Sequence, residues 1–398
     1  MGSDRGQARG AAVRRQVPGP IRGDSRLQRA AGLRSPLHHG SGIRTRRLAR
    51  PGSVPQSPPR AHVHRTSLFA GHCEVRRERA GSVRTVPDPI RRSAPRRRHH
   101  QPCPVSPDLV IQLALTGVAL GAIYALVAVG LTIVFGLLRI INFAHAQFLM
   151  LGAFLGLALY QRGVPYLAVL LVAPAMFGAL SLLIDRGIIR PLLRSKSFQA
   201  DTLLATLGLG LVLENGAQAA WGAQPYYFSP PPFPGVLPVG SAFLPTQSAV
   251  TVAVAAAVFA TLWVFLHRTR LGTAVRATAQ SRETAALVGV ETERVLGLAF
   301  AVGSGLAALG GILLGTLYST NFAMGSSLIV VAFIIVILGG PGHIPGALVA
   351  SLVIGVTEAV AGGLVNPRFQ RLVVMLVFLG VLMLRPQGLF GRPVGDAP

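Results

Sequence analysis

The sequence predicts an all-α polytopic membrane protein with eight to ten transmembrane helices, preceded by a disordered basic N-terminal extension. From Leu109 onward the chain is a series of apolar runs, and a helix needs roughly 20 apolar residues to cross a bilayer. Only helices or closed barrels satisfy backbone groups in lipid, and these runs are too long and continuous for barrel strands. Most of the charge lies before the runs, so two regions of different character share one chain.

Residues 1–104 carry that charge. They hold 23 of the 38 basic residues, all arginine, against five acidic residues, a net charge of +18. The segment has no sustained periodicity of apolar residues, so it cannot bury enough apolar surface to offset the entropy lost when a chain becomes ordered. We therefore expect it to be disordered. A basic arm for nucleic acid or anionic lipid and a targeting peptide are two interpretations. The interpretation that we adopt is a mis-called start, with Val105, Leu109 or Val110 as candidate first residues.

The membrane part, residues 105–398, contains no cysteine, because Cys73 and Cys103 both lie in the extension. No disulfide or cysteine-based metal site is therefore expected in it. The candidate spans are 109–136, 142–160, 165–186, 201–221, 247–267, 294–318, 327–341, 347–363 and 371–386.

Basic residues predict the orientation, because cytoplasmic loops carry an excess of lysine and arginine. The 222–247 loop has no charge and is rich in proline and aromatic residues, so we place it outside. The side on which the first span begins stays open. Three basic clusters are placed in the cytoplasm: Arg186, Arg190, Arg194 and Lys196; Arg268, Arg270, Arg276, Arg282 and Arg294; Arg385 and Arg392.

The motifs of common enzyme sites are absent from the sequence. It has no GxxxxGK[ST] phosphate loop, no HExxH and no GxSxG, so we expect no catalysis, no metal and no cofactor bound by this chain. Two acids lie deep in apolar runs, Glu214 and Glu358. Such residues line a transport pathway, cap a helix or join two helices, and the sequence leaves these alternatives open.

The most specific motif is the polar cluster of Asn142, His145 and Gln147, which follows the apolar stretch 130–141. These side chains are pathway candidates, together with the two deep acids, because discontinuous helices in transporters expose polar groups at a binding site. A polar cluster that ties helices together is the alternative. Residues 142 and 145 are three apart, so the spacing predicts that they share a helix face.

Two further segments interrupt the apolar runs. The polar segment 273–290 favours a short helix that Gly289 can end, and it suits docking to a partner. Its candidate docking residues are Arg276, Glu283, Ala285, Ala286 and Gly289. The Gly- and Pro-rich stretch 337–347 predicts a turn or re-entrant break, with Gly339, Gly340, Gly342 and Pro345 as the candidate residues.

These motifs, in this order, resemble the permease subunits of bacterial ABC importers for branched-chain amino acids. The resemblance covers about 109–392. It rests on the 130–147 stretch, an EAA-like pattern at 283–289, the glycine-rich stretch and the ending at 384–392. The family usually reads INFAHGE, and this chain has Ala146 and Gln147 in place of its Gly and Glu.

The resemblance implies half of a translocation pathway in the bacterial inner membrane, driven by ATP that partner subunits hydrolyse. The implied partners are a second permease subunit, two cytoplasmic ABC ATPases and an extracytoplasmic solute-binding protein, with no nucleic acid. A urea or short-amide permease of the same family is the alternative substrate class. A stand-alone channel or secondary carrier, and a membrane-tethered nucleic-acid binder that uses the basic arm, are alternatives from other classes.

Overall fold

The computed structural model describes residues 107–192, 197–240, 242–364 and 366–390. The predicted extension at 1–104 with its two cysteines, the candidate start Val105, and the basic residues Arg194, Lys196 and Arg392 lie outside these ranges.

The described residues form an all-helical bundle with one small hairpin, which confirms the predicted fold class. The hairpin pairs β1 (Val236–Val239) with β2 (Ala242–Pro245) in antiparallel fashion. The helices are α1 (Pro107–Leu138), α2 (His145–Gln161), α3 (Tyr166–Ile184), α4 (Arg190–Leu192), α5 (Phe198–Trp221), α6 (Thr246–Arg268), α7 (Arg270–Gln280), α8 (Arg282–Leu287), α9 (Thr292–Leu317), α10 (Met324–Gly339), α11 (Ile344–Leu364) and α12 (Gln370–Leu384). A π-helical turn, Asp185–Ile189, joins α3 to α4.

Within the described ranges, seven helices are long and apolar enough to cross a membrane. They are α1, the continuous helix Tyr166–Leu192, α5, α6, α9, α11 and the segment Pro367–Leu384. The shorter apolar helix α10 brings the number to eight, within the predicted range of eight to ten. Helix α2, 17 residues long, is largely buried among its neighbours.

The helix ends fall on two opposite faces of the bundle. On one face, which we call the outer face, Tyr160 at the end of α2 donates a hydrogen bond to the Pro230 carbonyl of the uncharged loop, at 2.9 Å. Gln112 near the start of α1 accepts one from the Phe243 amide at 2.8 Å. On the other face Arg190 donates to the Glu293 carbonyl at 3.1 Å. The charge rule makes this second face cytoplasmic, so α1 begins outside.

Glycines let the central helices approach closely, which is how helices pack where lipid removes most of the hydrophobic driving force. A Cβ on Gly130 of α1 would lie 2.6 Å from the Gly303 carbonyl of α9, and one on Gly303 would lie 2.7 Å from the Gly130 carbonyl. Helix α11 packs along α1 in the same way, through Gly117 and Gly355. The buried core is therefore built on α1, α9 and α11, with α2 and α3 against α9.

The contacts between helices and between helix ends fit an inverted repeat. Helix α1 runs from the outer face to the cytoplasmic face, and α2 runs from the middle of the bundle back to the outer face. Helix α3 then runs to the cytoplasmic face and α5 returns to the outer face. Helices α9, α10, α11 and α12 follow the same order in the opposite directions, and α6 lies between the two sets. Inverted repeats of this kind, with discontinuous helices at their interface, are typical of transporters.

Candidate functional site

The chain doubles back after α1, so α2 begins inside the bundle. His145, its first residue, places Nε2 3.3 Å from the Val127 carbonyl, and a Cβ on Gly130 would lie 3.2 Å from that same nitrogen. Helix α1 continues eight residues beyond Gly130, about 12 Å at the rise of an α-helix. The start of α2 therefore lies about 12 Å deeper than the cytoplasmic end of α1.

Asn142 belongs to the turn before α2. Its Oδ1 accepts a hydrogen bond from the Ala144 amide at 3.0 Å. The prediction that Asn142 and His145 share a helix face is wrong, because the helix begins only at His145 and the asparagine side chain folds back on the turn. Both side chains are buried, and within the described ranges Asn142 Nδ2 and His145 Nδ1 have no hydrogen-bond partner.

The same turn occurs a second time, before α10. Asn321 Oδ1 accepts from the Ala323 amide at 3.1 Å, two residues on, as in the first turn. The tripeptide Asn-Phe-Ala stands at 142–144 and again at 321–323, each time followed by a discontinuous helix. This second turn was not among the predicted sites. A search for the first tripeptide elsewhere in the chain would have found it.

The first turns of α2 and α10 meet. A Cβ on Gly325 would lie 2.7 Å from the Ala146 carbonyl and would overlap Gln147 Oε1. Gln147 Nε2 donates to one oxygen of Glu214 on α5 at 3.0 Å, and Ser326 Oγ donates to the other at 3.0 Å. We call Gln147, Glu214, Gly325 and Ser326 the helix-start junction.

The structure thus brings together two of the predicted pathway residues, Gln147 and Glu214, and adds Ser326. Each of Gln147 and Ser326 is the third residue of its helix, so the inverted repeat supplies one donor from each half. Glu358 has a different environment, because its carboxylate accepts from the Tyr124 hydroxyl of α1 at 2.8 Å. That contact fits the role of joining two helices.

The predicted break at 337–347 is a turn between α10 and α11. Gly339 ends α10, and Gly340 and Gly342 have φ of 94° and 78°, a backbone region that glycine adopts readily. Pro345 is the second residue of α11, where its missing amide hydrogen costs nothing. The C-terminal segment closes this turn, since the Leu389 amide donates to the Leu338 carbonyl at 2.7 Å.

The predicted docking segment forms two short helices on the cytoplasmic face. The Thr269 hydroxyl accepts from the Gly272 amide and caps α7, and the Ser281 hydroxyl accepts from the Thr284 amide and caps α8. Gly289, with φ of 87°, follows α8. In α7 the buried residues are Gly272, Val275 and Thr278, which leaves Arg276 exposed.

The end of α8 presents apolar side chains away from the bundle. Leu287 is 87% exposed and Val288 is 74% exposed. Glu283 and Ala286 are also exposed, whereas Ala285 is buried and fixes α8 to the bundle. These two exposed apolar residues make the tip of the segment a candidate docking contact.

Known proteins are similar to this chain over most of its membrane part. The family described as the branched-chain amino acid transport system permease component matches residues 113–382. LivH of Salmonella typhimurium, a high-affinity branched-chain amino acid transport system permease protein, is 34% identical over 299 residues, which cover 71% of this chain and 96% of LivH. LivH of Escherichia coli K12 is 33% identical with the same coverage, and BraD of Pseudomonas aeruginosa is 30% identical over 298 residues. No solved structure matches the chain.

The helical fold and the comparisons together define a multi-pass membrane permease, homologous to the bacterial inner-membrane LivH. The chain belongs to the family of branched-chain amino acid transport system permease components. The resemblance stated from the motifs is thereby confirmed, as is the role of a transport subunit without a catalytic domain.

Proposed function

We propose that this chain is one permease subunit of an ATP-driven importer for branched-chain amino acids, forming half of the translocation pathway and docking a separate ATPase. The observation that carries the proposal is the α7–α8 segment, with its exposed tip at Leu287 and Val288 on the cytoplasmic face. The names of the LivH and BraD relatives support the substrate class.

The ATPase is the partner that this segment fits. Helix α7 packs against α6 and α9, so a force applied at α8 reaches two membrane helices directly. Arg276 and Glu283 are exposed charged residues of the same two helices, so the segment offers both apolar and charged contacts to a partner. ATP bound and hydrolysed by that partner would shift the permease between outward and inward states.

A second permease subunit is the partner that fits the α5 face. Glu214 is half-buried and Ser326 is exposed, and both lie at the depth where α2 begins. A carboxylate at membrane depth that faced lipid would be costly, so this face requires a protein partner or an aqueous pathway. An interface between two permease subunits supplies both a protein partner for this face and an aqueous pathway. The solute-binding protein would deliver the solute to the outer face.

The test replaces Leu287 with serine in the complete importer, expressed with its second permease, ATPase and binding protein. Replacing a buried interface leucine weakens docking by about 2 kcal/mol, roughly thirtyfold. We expect the ATPase to be lost from the purified membrane complex and ATP-driven uptake of labelled leucine to fall in proportion. Leu271→Ser is the matched control, because Leu271 is also exposed, at 54%, but lies at the other end of the segment.

Two results would contradict the proposal. Leucine uptake that persists when the ATPase no longer co-purifies would indicate a stand-alone carrier. ATP-driven uptake of labelled urea, with none of leucine, would assign the chain to the urea and short-amide class.

A further inference from the structure

The helix-start junction brings two positive helix ends together. Each α-helix N-terminus carries about half a positive charge, and the first turns of α2 and α10 touch at Gly325. Glu214 is the carboxylate that faces both, through Gln147 on one side and Ser326 on the other. Two helix starts and two hydrogen bonds therefore converge on this carboxylate.

The junction has acceptor capacity that the protein does not use. Gln147 directs Nε2 at Glu214, and its Oε1 lies toward Gly325. Gln147 is 5% exposed, and its Oε1 has no partner among the described residues. A buried acceptor without a donor is costly, and a bound molecule with N–H groups would satisfy it.

Apolar side chains border the junction on its cytoplasmic side. On α5, Leu207 and Leu211 precede Glu214 by two turns and one turn, and they are 40% and 62% exposed. On α10, Val330 follows Ser326 by one turn and is 52% exposed. Because α5 runs outward and α10 runs inward, all three lie on the inner side of the carboxylate.

We propose that the helix-start junction binds the ammonium group of an α-amino acid on its way through the pathway. Glu214 and Gln147 Oε1 accept its hydrogen bonds, and Leu211 and Val330 contact the apolar side chain of the solute. A cation with three donors matches a carboxylate beside a free amide oxygen, and an uncharged solute such as urea does not need the carboxylate. This inference rests on the proposed function and deepens it, since it assigns the substrate class to a site within this chain.

The experiment uses the complete importer in proteoliposomes, with labelled leucine as the probe. It compares Glu214→Gln with the exchange variant Gln147→Glu/Glu214→Gln, which keeps one carboxylate and the same hydrogen bond with the partners reversed. Leucine uptake, ATP hydrolysis stimulated by the leucine-loaded binding protein, and the thermal midpoint are measured for each. Asn215→Ala, on the exposed side of the same helix, is the control.

We expect Glu214→Gln to lower leucine uptake at least about tenfold, because a charged hydrogen-bond partner is lost. The thermal midpoint should stay near that of the unaltered importer, because a glutamine at position 214 can still accept the hydrogen bond from Ser326. The exchange variant should recover most of the uptake. Unchanged uptake in Glu214→Gln would overturn the inference, and so would a joint fall in uptake, hydrolysis and thermal midpoint, which would mean a purely structural carboxylate. If the unaltered importer takes up no leucine at all, the proposed function itself fails.

Discussion

The two Asn-Phe-Ala turns have the same backbone hydrogen bond and different surroundings. In both, the asparagine side chain accepts from the amide two residues on, at 3.0 and 3.1 Å. Asn142 and the three residues after His145 are buried, whereas Asn321 is half-buried and Ser326 is exposed. The tripeptide sets the local turn, and the helices packed around it set the burial. Helices α3, α9 and α10 pack against α2, whereas α1, α2 and α11 pack against α10. The first turn is therefore buried, whereas the second is partly open at Asn321 and Ser326.

The largest effect is expected from Gly325→Val, which would separate the two turns. The new side chain would overlap Gln147 and the Ala146 carbonyl, so we expect a loss of about 3 kcal/mol in stability, seen as a lower thermal midpoint in detergent, and loss of uptake. Gly216→Val on α5 is the control, because a Cβ there has nothing within 4 Å. Equal midpoints for the two variants would show that the turns do not press on each other.

An intermediate effect is expected from removing each asparagine cap. Asn142→Ala leaves a buried amide without an acceptor and should cost about 2 kcal/mol, whereas Asn321→Ala, at a half-buried turn, should cost about 1 kcal/mol. The thermal midpoints of the two variants, measured side by side, give the difference. If Asn321→Ala proved the more damaging, burial would not be what distinguishes the turns.

The smallest effect is expected from His145→Met. Met324 holds the equivalent position after the second turn, so this variant makes the two turns alike there. The variant loses one hydrogen bond, to the Val127 carbonyl, and should be destabilised by about 1 kcal/mol with uptake largely retained. Loss of uptake without loss of stability would instead place the imidazole in the pathway, where the sequence motif suggested it.

The sequence predicted the helices and their breaks because these are local. Apolar runs, glycines and prolines mark where a helix can lie in lipid, and the turn at Gly339 follows from them directly. Caps are local too, yet the helix face shared by Asn142 and His145 was predicted wrongly, because an asparagine side chain competes with the helix for a backbone amide.

The helix-start junction could not be predicted because its members are far apart in sequence. Gln147 and Glu214 are 67 residues apart, and Ser326 is 112 residues beyond Glu214. Only the packing of α2, α5 and α10 brings them within 3.0 Å. The repeated tripeptide was the one sequence signal of this proximity, since two equivalent turns in an inverted repeat face the same centre.

The contact between the first turns of α2 and α10 also bears on biosynthesis. Ribosomes make α2 and α5 well before α10, so Glu214 enters the membrane with one hydrogen-bond donor in place and the other, Ser326, still to be translated. Helix α10, at 16 residues, is short for a bilayer and is held in place by packing against helices that are already inserted. The hydrogen bonds around Glu214 are therefore complete only after α10 has been translated.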